Sequence, residues 1–475
     1  MLQIPKLKKF IFPLIGTLNI FQLSLQQSLP IHNLDSFVYS QDNSKQATET
    51  LVLQNGIYIF GCVLGSEIYK LLANQSSKFV FLLSDVIYFL ANCTILLLQI
   101  SIDDQSNSDQ TSSQDDKHNI FKPQNVFVQI YLILRIFVGI ANGINYAKSI
   151  IYVKQMCSKK ESQFFFKLFP LQLLIGQFLG IFTFKIIKDE FTTSLKIVLI
   201  LNFICFIRMV LLQFLQIETP QYYLYTLKDQ RRSKMIYQEI HNDNDNIQTY
   251  FGFQQQTLKG NLQANQSEYL ISKPYLKKYF KCCLLIVLTQ FTGETLIFSF
   301  LFTPMNKSYK SSFDKYYYCS FGSGLFVILL QMIFYHFIKR KKIITLIGQS
   351  LICIALAFLG FSDSIWALIL LQLGYCLGIG TQIFSIIPYQ LPEFGILYCI
   401  NIQWIISLIE MCFYGLFLNK LPNSDSLQEI HAIQEIIQIY FFISCIGLIL
   451  IFIILRQPIR TQPNQRNQNE DKKTL

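Results

Sequence analysis

The chain has 475 residues, of which 52% are hydrophobic and 15% charged, with a formal net charge of +11 and a mean hydropathy of +0.36. Soluble domains run nearer a quarter charged, so an ordinary soluble domain is excluded. The apolar residues gather in runs of about 20, the length a helix needs to cross a ~30 Å hydrocarbon core.

In lipid every backbone N–H and C=O must be satisfied within the segment, so these runs are helices. In chain order they fall near 9–29, 51–72, 79–101, 127–153, 164–187 and 195–215, then 281–303, 319–338, 343–361, 365–388, 396–418 and 436–455. The first has basic residues ahead of it, as a signal peptide would. It ends in Gln22, Gln26 and Gln27 without a small-residue cleavage site, and we read it as a membrane helix. The pattern predicts an all-α membrane protein with twelve transmembrane helices in two pseudo-symmetric six-helix bundles. Residues 1–215 form the first bundle, 216–280 a central cytoplasmic loop, 281–455 the second bundle and 456–475 a cytoplasmic tail. The Ser/Gln/Asp-rich stretch 101–118 and the Asn/Gln-rich stretch 241–268 have little to bury and read as mobile loops.

Orientation follows from Lys and Arg, which cytoplasmic loops retain. With the N-terminus inside, that side collects Lys6, Lys8, Lys9, Lys159 and Lys160, the basic residues of 216–280, Lys339 to Lys342, and Arg456, Arg460 and Arg466. The opposite side receives Asp103, Asp104, Asp109, Asp115 and Asp116. Both termini are therefore expected in the cytoplasm, of a plasma-membrane or internal vesicle protein. This asymmetry explains the net charge without nucleic acid as a partner. The twelve Cys are scattered through apolar runs with no metal-ligand spacing and read as small core residues, so no metal and no cofactor is implied.

Motifs at the helix ends carry a resemblance. After the sixth run comes Glu218-Thr219-Pro220-Gln221-Tyr222-Tyr223-Leu224. The fourth holds Arg135-Ile136-Phe137-Val138-Gly139, then Gly143 and Tyr152; the seventh holds Gln290-Phe291-Thr292-Gly293. The eighth starts Gly322-Ser323-Gly324, and Gly380, Pro392 and Trp404 follow later. In order and position these resemble the motifs of the sugar porter family of the major facilitator superfamily. That family's Pro-Glu-Ser-Pro-Arg signature follows the sixth helix, and its Gln-Gln-Leu-Ser-Gly lies in the seventh.

The resemblance implies a secondary transporter or facilitator that moves a polar organic solute, a sugar being one candidate, by alternating access. A monomer is expected, with the lipid bilayer, the solute and a proton as its partners. It implies gating roles for Arg135, Tyr152 and Glu218, the last as a latch to basic residues of the other bundle. It implies substrate contacts from Gln172, Gln177, Thr289, Gln290, Thr295, Phe384 and Trp404, with Phe298 as a further ring for stacking.

The departures are informative. The acidic-x-x-Gly-Arg-Arg motif between the second and third helices is replaced by Asn74-Gln75-Ser76-Ser77-Lys78, and Gln155 and Gln221 stand where the family has Glu and Arg. The cytoplasmic latch is therefore expected to be weak. In the pocket, Thr289, Thr295 and Val327 replace polar family residues, and each unmatched sugar hydroxyl costs about 1–3 kcal/mol. Such losses suit a substrate other than a hexose, or a non-transporting sensor derived from a carrier. An enzyme finds no motif to support it.

Two carboxyls stand apart. Glu294 and Glu410 lie roughly 20 Å from the cytoplasmic helix ends, near the membrane midplane. A carboxyl there costs about 2.5–3.5 kcal/mol against lipid, so a water-lined or cation-facing position is favoured. They are candidates for coupling to a proton or a cationic solute, with an interhelical hydrogen bond as the alternative. Glu67, Asp85 and Arg208 lie nearer the cytoplasmic face, where interface anchoring accounts for them.

Overall fold

The structure is a computed structural model describing residues 11–24, 26, 44–109, 123–157, 159–186, 190–215, 218–241, 273–294, 297, 311–333, 341–362, 364, 366–419 and 426–456. Every described element is helical. Six long helices build the first half: α1 (Ile11–Ser24), α2 (Ser44–Leu72), α3 (Ser77–Asp109), α4 (Pro123–Met156), α5 (Lys159–Ile186) and α6 (Glu190–Leu215). Two short ones follow, α7 (Pro220–Tyr225) and α8 (Gln230–His241). The second half comprises α9 (Lys273–Gln290), α10 (Ser311–Ile333), α11 (Lys341–Phe361), α12 (Ala367–Leu377), α13 (Ile379–Gln390), α14 (Glu393–Asn419) and α15 (Ser426–Arg456). Each of the twelve apolar runs thus carries helix, and among the described residues six helical spans are long and apolar enough to cross a membrane outright, one of them made of α12 and α13 together.

Small residues set the closest packing. A Cβ on Gly61 or Gly65 of α2 would lie 2.4 or 2.1 Å from the carbonyl oxygen of Ile136 or Ile140 in α4. On the other side, Gly139 and Gly143 would meet the Tyr58 and Cys62 carbonyls at 2.2 and 2.3 Å. Four-residue spacing of glycine on both helices lets the backbones touch, which is how membrane helices gain dispersion energy without a hydrophobic driving force. Gly139 and Gly143 are packing residues. The two halves meet along α2 against α14 and α5 against α10.

Three expectations are corrected. The stretch after Ile100 is not all loop: α3 continues through the polar residues to Asp109. Part of the central connection is folded, because α8 turns Ile236 onto Phe12, Ile15, Leu212 and Met156, and the Ser233 hydroxyl donates to the Pro220 carbonyl at 2.7 Å. Asp85 and Arg208 are not interface anchors. They form a buried ion pair at 2.5 Å, both 0% exposed. Asn145 donates to Asp85 at 3.0 Å and accepts from Arg208 at 3.2 Å, and Arg208 Nε donates to the Ile15 carbonyl. The pair ties α1, α3, α4 and α6 together from inside.

Two runs that read as continuous helices are broken. In the seventh, α9 ends at Gln290 and the chain turns through Gly293, whose φ of +76° suits only glycine without strain. Thr292 Oγ1 donates to the Thr289 carbonyl and Ser444 Oγ to that of Phe291, so freed backbone groups stay satisfied. The tenth divides at Gly378 into α12 and α13. There Gln331 Nε2 donates to the carbonyls of Cys376 and Leu377 at 3.0 and 3.1 Å, and Thr381 Oγ1 to Cys376 at 2.9 Å. Irregular backbone at membrane depth is tolerated where protein groups replace the lost bonds.

Candidate substrate cavity between the two halves

Both breaks open on the same space. A cavity lies between the halves. The first half supplies Leu23 from α1, Tyr146 from α4 and Pro170, Leu173, Leu174 and Gln177 from α5. The second supplies Thr289 and Gln290 at the end of α9, Glu294 just beyond the turn, and Tyr375 and Cys376 before the α12 break. Phe384 lies after that break, and Gln403, Trp404 and Ser407 come from α14.

Its polar groups are organised. The Ser407 hydroxyl donates to Gln290 Oε1 at 2.9 Å, which fixes the amide and leaves its NH₂ for other acceptors. Tyr146 reaches across from the first half: its ring meets Trp404 edge-on at 5.5 Å, and its hydroxyl donates to Gln403 Oε1 at 3.3 Å. Trp404 Nε1 and Gln372 Oε1 are buried with no hydrogen-bond partner among the described residues. A donor and an acceptor left open beside one cavity are what a polar solute would satisfy.

Of the residues expected at the site, Gln177, Thr289, Gln290, Glu294, Phe384 and Trp404 come together here. Gln172 turns toward α1 instead, where its Nε2 donates to Thr17 Oγ1 at 3.3 Å. Thr295 and Phe298 lie outside the described residues. Glu410 is buried behind the wall, and the Tyr440 hydroxyl donates to it at 3.3 Å. Reasoning from sequence missed Tyr146, Gln372, Tyr375, Gln403 and Ser407. The signal was present for the last two, which flank Trp404 on its own helix. For Tyr146 there was none, because the motif of α4 lies in Arg135, its glycines and Tyr152.

The gating residues take definite positions. Arg135 does not snorkel to the interface. It is fully buried, with its guanidinium 4.7 Å from the Tyr58 ring centroid and Nη1 donating to the Gln26 carbonyl at 3.4 Å. Tyr152 is buried edge-on against Phe81, with its ring beside Gly16. Glu218 accepts two backbone N–H groups at 2.8 Å, from Ser77 and Lys78, and so caps the start of α3 within its own half. A carboxylate there also gains from the helix dipole.

Other side chains reach across between the halves, near the end of the bundle where α2 passes into α3 and α4 into α5. Lys154 Nζ donates to the Leu391 carbonyl at the end of α13, and Lys167 Nζ to that of Gln331 near the end of α10, each at 2.8 Å. Asn401 of α14 bonds Ser66 and Glu67 of α2, Lys70 lies 4.1 Å above the Tyr398 ring, and Ser162 bonds Tyr389. Among the described residues no group of His, Cys, Asp and Glu is arranged to hold a metal ion.

A cavity between two helical halves, flanked by broken helices, is how rocking carriers hold their solute. A model of the family described as sugar (and other) transporter matches residues 15–457. The chain belongs to this family. No curated protein matches the sequence significantly. Among solved structures, the proton:xylose symporter XylE bound to 6-bromo-6-deoxy-D-glucose superposes with a TM-score of 0.76 at 14% identity, over 95% of this chain and 96% of that one. A partially occluded inward-open form of XylE from E. coli gives 0.67 at 14% identity, over 95% and 99%. An inward-open form of XylE from E. coli gives 0.64 at 12%, over 96% and 98%. The fold is that of the major facilitator superfamily, with its twelve membrane helices, and the sugar porter resemblance holds along nearly the whole chain. This family member is an integral multi-pass membrane protein of a transporter family.

Proposed function

We propose that the protein is a secondary carrier that moves a polar organic solute of sugar size by alternating access, with both termini in the cytoplasm. The observation that carries the reading is the cavity itself. Both halves line it, so a rocking motion would expose the same groups to either side. Gln290, held by Ser407, and Trp404, with its open Nε1, are the leading substrate contacts. Gln177, Thr289 and Phe384 complete the wall. XylE, which shares the fold, is a proton:xylose symporter, and a sugar-like solute with a proton as co-substrate fits the family.

Arg135, Tyr152 and Glu218 act on the conformational cycle in this reading, since none of them lines the cavity. Glu294 and Glu410 are the coupling candidates, one in the wall and one behind it. Flux of labelled solutes into vesicles reconstituted with purified protein tests the proposal. Saturable uptake that Gln290→Ala weakens supports it; binding without flux would return the sensor alternative, which family and fold do not favour. Tag accessibility in intact cells tests the orientation, and an external C-terminus would refute it.

A further inference from the structure

A second cavity borders the first, and its chemistry is different. Tyr146, Phe384 and Gln403 belong to both walls, so the two spaces are neighbours. Beyond that border the second is walled by Ile150 of α4, Ile387 of α13, and Ile396 and Ile400 of α14, all of them buried. Gln177, Thr289, Gln290 and Gln372 line the first cavity and not the second. At the border the Tyr146 hydroxyl donates to Gln403 Oε1 at 3.3 Å, which joins these two polar side chains to each other. A sugar hydroxyl pushed past them would lose its water and find few partners in exchange. An apolar space of this kind stays dry and takes an apolar guest.

From this juxtaposition we infer that the carrier's substrate is amphipathic: a polyol head with a compact apolar substituent, an alkyl or aryl glycoside in place of a free sugar. The inference rests on the transport reading and specifies its substrate class. The head lies in the first cavity, where its oxygens accept from the Gln290 amide NH₂ and the Trp404 N–H, and one hydroxyl donates to Gln372 Oε1. The substituent passes beside the Phe384 ring and ends among the four isoleucines. A free sugar fills the first cavity alone and gains nothing from the second. Each methylene buried there adds about fourfold in affinity, until the space is full.

The test measures binding to purified wild-type protein, by thermal-stability titration, and uptake into reconstituted vesicles. The probes are the methyl, propyl, hexyl and phenyl β-glucosides and β-xylosides, with propanol and phenol as controls for the substituent alone. Propyl and phenyl glycosides are expected to bind about tenfold more tightly than the methyl glycoside of the same head, and the two alcohols not to bind. Ile400→Phe fills the second cavity and is expected to bring the propyl-to-methyl ratio close to one. Ile400→Ala enlarges it and is expected to move the preferred chain from propyl towards hexyl, a shift that partitioning into lipid would not produce. Equal binding of methyl and propyl glycosides in wild type would overturn the inference and leave the transport reading standing. A ratio that neither Ile400 variant changes would overturn it also. Should those variants fail to fold, the wild-type series decides, because the alcohols report what the substituent does without a head. Binding that tightens with the substituent, but without uptake of any glycoside, would keep the ligand class and overturn the transport reading. No binding of any glycoside in the series would overturn the inference.

Discussion

Replacing Asp85 with Asn should be among the most destabilising conservative changes in the first half. The carboxylate and Arg208 are both fully buried, 2.5 Å apart, and removing one partner of such a pair costs about 3–5 kcal/mol because the other charge is left buried alone. Asp85→Asn falls near the lower end, since Arg208 keeps its bonds to Asn145 Oδ1 and the Ile15 carbonyl. Arg208→Met falls near the upper end, as it strands the carboxylate and leaves the Ile15 carbonyl without that donor. About 3 kcal/mol is roughly a hundredfold in the folding equilibrium. The Glu67–Lys70 pair, at 2.8 Å with Glu67 half exposed, serves as contrast: Glu67→Gln should cost about 0–1 kcal/mol, because water screens the carboxylate and the new amide oxygen can still accept from Asn401. The assay is the half-life of monodisperse protein in detergent at fixed temperature, since unfolding of such chains is irreversible. The double variant Asp85→Leu with Arg208→Met should recover most of the loss, because an apolar pair needs no desolvation of charge. An Asp85→Asn protein within about 0.5 kcal/mol of wild type, or a double variant as unstable as the two singles added together, would refute the reasoning.

Gly65→Ala would place a Cβ 2.1 Å from the Ile140 carbonyl oxygen, so α2 and α4 must separate. A loss of about 1–3 kcal/mol or more is expected, and wild-type stability in the same detergent assay would contradict it. Gln290→Ala should weaken solute binding by about 1–3 kcal/mol, and Ser407→Ala by less, since it frees the amide without removing it; unchanged affinity in both, by titration on purified protein, would move the site elsewhere. Glu218→Gln should slow transport more than it changes affinity, with a stability cost of about 0.5–2 kcal/mol from the weaker cap on α3; a pure loss of affinity would argue the opposite.

The helices were legible because lipid allows a run of about 20 apolar residues only one structure. Their breaks were less so. Gly293 and Gly378 sit in apolar stretches where glycine serves packing as readily as a turn, and what decides is whether donors such as Gln331 and Ser444 stand ready nearby. Depth along a helix can be counted from sequence, but the direction a residue faces within a bundle cannot. Hence Gln290 and Trp404 were found in the cavity while Gln172, at a similar depth, faces α1. Asp85 and Arg208, 123 positions apart, gave no sign of being partners. Glu218 was rightly placed at a helix end, but its acceptors' partners are backbone amides, which no side-chain pattern reveals.

The absent gate residues acquire a meaning from the contacts found in their place. The resemblance implies a latch of carboxylates and basic residues at one end of the bundle, and Gln155, Gln221 and the stretch Asn74–Lys78 leave it weak. Among the described residues, two of the contacts that cross in their place run from lysine to carbonyl, Lys154 to Leu391 at the end of α13, where the helix dipole presents negative charge, and Lys167 to Gln331 of α10, beside the contacts of Asn401, Lys70 and Ser162. Hydrogen bonds to a charged group contribute about 1.5–3 kcal/mol each, similar to what the lost pairs would supply. On the carrier reading, the states open to either side must differ by only a few kcal/mol, or the cycle stalls in one of them. Two such contacts, with the Asn401 bonds beside them, already approach that limit. On that reading, a latch made partly of lysines on backbone would stand in for one made of ion pairs. It differs in one respect: only the lysine side can be altered by substitution, because the acceptor belongs to the main chain.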